Sequence, residues 1–172
     1  MKKLILLLMA ALFLTACGSE ETTSKTFNFT VEEFESRLSE ALKQIGDDTN
    51  LKIISSEEDE DGGQTIRLSD NIYIFIDKDI NGKITHVSLT TTSNAYFTEK
   101  KDLDLAFLLL VGNVDDTLSF GDRNKLIANL GLTDKNINII DYTKVYNQNN
   151  IQYTYKGDLK EDAAIILQAA IN

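Results

Sequence analysis

The chain has no tryptophan and no proline, and it has one cysteine and one histidine. One cysteine cannot close an intramolecular disulfide, so the fold must be held by its core. One histidine beside one cysteine argues against a zinc or copper shell of nitrogen and sulfur ligands. Basic residues are also short: 17 Lys and Arg stand against 27 Asp and Glu, a formal charge of −10. That balance is repelled by phosphate backbones, so no nucleic-acid partner is expected, and by anionic lipid headgroups. A membrane-spanning helix needs about 20 apolar residues, and the unbroken run from Leu4 to Leu14 falls well short. Asparagine and isoleucine are frequent, a composition that suits an AT-rich, Gram-positive genome.

The short apolar run has a meaning of its own. Lys2 and Lys3 precede it, and small residues follow it, ending at Cys17. A charged start, an apolar stretch and a small-residue end describe a secretory signal. Leu14-Thr15-Ala16-Cys17 resembles the lipobox of bacterial lipoproteins. The resemblance covers the first 17 residues only. It implies that residues 1–16 are cut away and that Cys17 receives a diacylglycerol. Two acyl chains anchor stably where one does not, so the mature chain is expected on the outer face of the cell membrane. Loss of Lys2 and Lys3 moves its charge by two, from −10 to −12. Residues 17–26 are polar and small and read as a flexible tether. Residues 27–172 suit a single domain with a sizeable core.

Within that domain Thr30 and Glu33 form a capping box, and Phe29 and Phe34 occupy the positions of a hydrophobic staple. Val31, Phe34, Leu38, Leu42 and Ile45 then recur at helical spacing up to Gly46. Strands follow at Leu51–Ser56, Gln64–Ser69, Asn71–Asp77 and Ile84–Thr92, with an acidic turn at 57–63 between the first two. Asn81-Gly82 between apolar runs is a strong hairpin signal. Taken as a two-residue turn, it sets Ile76 opposite Val87, Ile74 opposite Leu89 and Ile72 opposite Thr91. Tyr73, Phe75 and Asp77 then share the other face with Thr90, Ser88 and His86. Helices are expected at Thr98–Val111 and Phe120–Leu130. Strands are expected at Ile137–Tyr142, Thr143–Tyr146 and Ile151–Lys156, and a last helix at Leu159–Ile171 behind an Asp158/Glu161 cap. Consecutive strands flanked by helices imply an α+β fold, an antiparallel sheet with helices packed on one side. The two halves both read helix–strands–helix, the pattern of a diverged duplication.

Chemistry has few places to sit. Asp77 to Ile84 matches the first eight positions of an EF-hand-type loop, with Asp77, Asp79 and Asn81 as the calcium ligands and Gly82 at the turn. Position twelve, normally a bidentate Glu, is Ser88, and the flanks read as strands, so a soluble hairpin tip is favoured over a weak calcium site. No other cofactor is expected. His86 should meet Asp77 across the hairpin, as a surface pair or as a general base held by a carboxylate. No nucleophile-elbow string accompanies it. The acidic run at 57–61 reads as a solvated loop. Tyr73, Phe75, Tyr142, Tyr146, Tyr153 and Tyr155 crowd the strands. They are either good strand formers on a half-buried face or an adhesive surface. The expectation is a lipid-anchored, non-enzymatic binding module for a protein or small ligand. The alternatives are an inhibitory, exclusion or immunity-type lipoprotein acting on one membrane-proximal target, and a hydrolase built on His86.

Overall fold

A computed structural model describes residues 25–158 and 165–172. The signal sequence, Cys17 and most of the tether therefore lie outside the described residues. The element order is α1 (Val31–Ile45), β1 (Ser55–Glu58), β2 (Gln64–Arg67), β3 (Ile72–Lys78), β4 (Ile84–Thr91), α2 (Ser93–Thr98), α3 (Lys100–Val114), α4 (Phe120–Asn129), β5 (Asp141–Gln148), β6 (Ile151–Asp158) and β7 (Ile165–Ile171). The fold is α+β. All seven strands form one antiparallel sheet in the order β1-β2-β3-β4-β7-β6-β5.

α1 starts as its sequence dictates. Thr30 Oγ1 accepts from the Glu33 N–H at 3.2 Å, and Glu33 Oε2 accepts from the Thr30 N–H at 2.9 Å. The Phe29 and Phe34 rings close the staple with centroids 6.1 Å apart. α1 buries Phe34, Leu38 and Leu42 and packs on α3. α3 lies against β4 and β7 and is buried along most of its length, as an all-round apolar helix must be. It begins two residues later than expected and runs on through Gly112, and the short α2 before it has no counterpart in the sequence reading.

The β3–β4 register is the expected one: Ile76↔Val87, Ile74↔Leu89, Ile72↔Thr91 and Asp77↔His86. The turn that produces it is different. Asp79 pairs back to Lys83, and the Gly82 N–H donates to the Asp79 carbonyl at 2.9 Å with Gly82 at φ 74°. The loop thus holds three residues, and the register shift beside Lys78 leaves Thr85 as an extra residue in β4. The two departures cancel because the isoleucines must stay on the core face. The β1–β2 turn repeats the same geometry at Asp59–Gly63, with Gly62 at φ 81°.

Three other expectations are corrected. Ile165–Ile171 is a strand, not the end of a helix, and it fills the slot between β4 and β6. The second half therefore does not end in a helix, and the helix–strands–helix repeat behind the duplication reading is lost. Residues 137–140 form a turn over Gly157, and the regular strand runs unbroken from Asp141 to Gln148. Leu51–Ile54 follows the end of β2 through two backbone bonds, Lys52 N–H to Leu68 O and Ile54 N–H to Arg67 O, and becomes regular only at Ser55.

Candidate functional site

Pairing across the sheet sorts its side chains onto two faces, since residues opposite one another point the same way. Ile66, Ile74, Leu89, Leu167 and Tyr155 share the face under the helices. Tyr153 and Tyr155 are on it with no exposed surface, and Tyr142 and Tyr146 are half-buried beside them. Burial pushes both the Tyr153 and Tyr155 phenols up, with Asp115 adding to the effect at Tyr153. The Tyr155 hydroxyl donates to the Ile139 carbonyl at 2.7 Å. Tyr153 and Tyr155 are packing residues, not the contact surface that their clustering suggested, while Tyr142 and Tyr146 pack against the core from the edge strand and stay partly exposed. A buried sheet face rewards aromatic strand residues just as an adhesive one does, so composition could not separate the two.

Tyr73 and Phe75 are on the opposite face, which no helix covers among the described residues. Their rings are 6.4 Å apart. Around them the register places Ser88 and Thr90 on β4, Ile166 and Gln168 on β7, and Gln152 and Thr154 on β6. None of these eight is charged. Lys156 on β6 continues the Tyr73 row beyond Ile166, and the other charged residues of this face stand at its margin: Glu57, Arg67, Asp77, Asp141 and Asp158. An uncharged centre on β3, β4 and β7 holding aromatics, with charge around it, is the anatomy of a protein–protein interface. From strand spacing and rise the face measures about 29 Å by about 24 Å, or about 700 Å². A standard interface buries about 800 Å² on each partner.

His86 and Asp77 sit together at the margin, with His86 Nδ1 3.9 Å from Asp77 Oδ2 and 3.2 Å from Thr85 Oγ1. Thr85 itself donates to the Asp77 carbonyl at 3.3 Å. Of the three calcium-type residues, Asp79 serves the turn, because its Oδ1 accepts from the N–H groups of Lys83 and Asn81, each at 2.8 Å. The Lys83 bond holds its carboxyl below the usual range, against an opposing effect of burial, with Asn81 helping. Asp77 points instead to the open face. Among the described residues no group of three or more His, Cys, Asp or Glu side chains is gathered as a metal shell requires.

A second feature has no signal in any one stretch of sequence. A cleft of about 1010 Å³ opens where the chain enters the domain, between Phe27–Phe29, the first turns of α1, the loop after α3 and the β5–β6 turn. Arg37 is pinned there. Its guanidinium lies 4.6 Å from the Phe29 ring centre, its Nε donates to the Glu33 carbonyl at 3.3 Å, and its Nη1 meets Asp116 at 3.2 Å. Asp115 is buried below and accepts from Thr117 and from Asn149 Nδ2, the latter at 2.8 Å. The network ties the β5–β6 hairpin to the helical layer.

No helix among the described residues is long and apolar enough to cross a membrane. No protein-family model matches the chain, and no curated protein or solved structure matches it either.

Proposed function

We propose that this protein is a lipid-anchored binding module on the outer face of the cell membrane, and that it docks a protein partner on the open face of its sheet without chemistry of its own. The observation that carries the reading is the uncharged centre of that face. In a chain with a quarter of its residues charged, the two middle rows across the three central strands β3, β4 and β7 hold only Tyr, Phe, Ile, Ser, Thr and Gln. The placement of the ends supports it. The Phe27 N–H bonds to the Ile84 carbonyl at 2.8 Å, so the chain joins the sheet at the start of β4. The β1–β2, β3–β4 and β5–β6 turns and the C-terminus share that end. A lipid on Cys17 would keep it toward the membrane, on a tether of about ten residues and at most roughly 35 Å. The open face would then stand upright, accessible to a neighbour on the same surface.

The test is photocrosslinking in intact cells, with a photoreactive residue at Ser88 on the open face or at Glu35 on α1. The expected result is one defined adduct from Ser88, none from Glu35, and loss of the adduct in a Cys17→Ser background. Equal adducts from both positions, or none from the open face, would overturn the proposal.

A further inference from the structure

We infer that the outer edge of β5 is a strand-acceptor site, at which an extended segment of the protein partner adds antiparallel as an eighth strand. The inference rests on the reading of the molecule as a protein-docking module and names the backbone by which the partner is gripped.

The sheet has two edges, and they differ. β1 is four residues long and carries Glu57 and Glu58. β5 is eight residues long and pairs with β6 without a register shift. Their turn has two residues, Asn149 and Asn150, both left-handed at φ 52° and 63°, the signature of a type I′ hairpin. In such a hairpin the flanking pair, Gln148 and Ile151, exchanges both hydrogen bonds, and bonded pairs then alternate along the ladder. Tyr146, Lys144 and Tyr142 therefore bond to β6, while Thr143, Val145 and Asn147 turn their N–H and C=O groups outward. The bond from the Asn172 N–H to the Asn150 carbonyl, 2.7 Å, fits this alternation on the far side of β6.

Edge strands are ordinarily blunted by proline, bulges or charge. β5 has no proline and no bulge, and its middle carries one charge, Lys144, which makes no ion pair among the described residues. Lys144 selects the occupant. It sits between Tyr142 and Tyr146 on one side of the strand, while Val145 is 46% exposed on the other. The complementary segment has an acidic residue between two apolar ones on one side and an apolar residue at its centre on the other. A second copy fits poorly. An antiparallel β5–β5 pair would point the two tether ends in opposite directions, which two chains on one membrane cannot satisfy.

The probe is the capped peptide Lys-Thr-Val-Val-Glu-Thr-Ile-Lys, whose fourth residue falls opposite Val145 and whose glutamate falls opposite Lys144. It is titrated into the mature chain carrying Cys17→Ser and followed by amide NMR. The expected result is saturable shifts along β5, with exchange of the Thr143, Val145 and Asn147 amides slowed at least tenfold. Val145→Pro removes an outward N–H but no bond to β6, so it should abolish binding, whereas Val145→Thr should keep it. A peptide with lysine in place of glutamate should bind at least fivefold more weakly. Outward amides already protected in the free chain, shifts centred elsewhere, or binding that survives Val145→Pro would each overturn the inference. If the Ser88 adduct forms in cells while the peptide fails, the strand-acceptor site falls alone. If both fail, the docking reading falls with it.

Discussion

Gly157 and Gly112 are both crowded, and alanine at the two positions should have opposite consequences. A Cβ on Gly157 would lie 1.9 Å from the Ile139 carbonyl oxygen and 2.9 Å from its carbonyl carbon. Those atoms are backbone, and their loop is held in place. The Tyr155 hydroxyl bonds the same carbonyl, and the loop closes on itself through Asp141 N–H to Asn138 O at 3.0 Å. Relieving the overlap means moving the loop by about 1.5 Å to reach ordinary contact. Overpacking of that kind costs about 1–3 kcal/mol, and loss of the tyrosine bond adds about 1 kcal/mol. Gly157→Ala should therefore destabilise by about 2–4 kcal/mol, a fall in Tm of roughly 10 °C for a chain of this size. A Cβ on Gly112 would come within 2.3 Å of Arg123, but only of its guanidinium. That tip can swing away, at the cost of its bond to the Leu118 carbonyl, and alanine gains up to about 1 kcal/mol in helix propensity. Gly112→Ala should stay within about 1 kcal/mol of the parent. Calorimetry and urea melts on the mature chain with Cys17→Ser would measure both. A Gly157→Ala variant within 0.5 kcal/mol of the parent (about the scatter of a neutral surface change), or less destabilised than Gly112→Ala, would refute the reasoning.

The two buried tyrosines offer a second contrast. The Tyr153 hydroxyl has no hydrogen-bond partner among the described residues, so Tyr153→Phe should raise stability by about 1 kcal/mol, while Tyr155→Phe breaks a made bond and should lower it by about 1–2 kcal/mol, both read from urea midpoints. Asp102 is buried, which by itself would raise its pKa, but bonds from Thr49 and Asn50, with Lys101 nearby, hold the carboxyl below its ordinary value of 3.8. Its contribution is present above that value and lost as the pH falls through the lower folded one, so the parent should lose more stability than Asp102→Asn between pH 5 and about pH 2 in parallel melts. Asp79→Ala should lower Tm equally in millimolar calcium and in chelator, because the carboxylate serves the Asn81 and Lys83 N–H groups; a calcium-dependent difference would reinstate the loop as a metal site.

Local features were legible where the chemistry is local. The Thr30–Glu33 box and the Phe29–Phe34 staple involve neighbours in sequence, and both formed as read. The β3–β4 register was legible for a different reason. Ile72, Ile74 and Ile76 can be buried only together, so their alternation decided the pairing even though the turn held three residues rather than two. The site was half legible. Tyr73 and Phe75 do share a face away from the core, whereas Tyr153 and Tyr155, with the same composition and alternation, are the core. The cleft at Arg37 draws on four separate segments, and no single window of sequence contains it.

By itself, then, the sequence determined the α1 cap, its hairpin register and an α+β class, because each follows from residues a few positions apart or from one alternating run. Asp158, read as the cap of a last helix, instead ends β6, and its partner Glu161 lies outside the described residues. Only the tertiary structure decided the fate of Ile165–Ile171. Ile166, Leu167 and Ala170 fit one face of a helix, while Ile165, Leu167 and Ala169 fit one face of a strand. Alanine, leucine and glutamine favour the helix. The open edges of β4 and β6 flank a single strand-wide slot, and backbone bonds on both sides with burial of Ile165, Leu167 and Ala169 outweigh that propensity. The same insertion joins the two halves into one sheet. It thereby creates the broad uncovered face, a surface that belongs to no single segment of the chain.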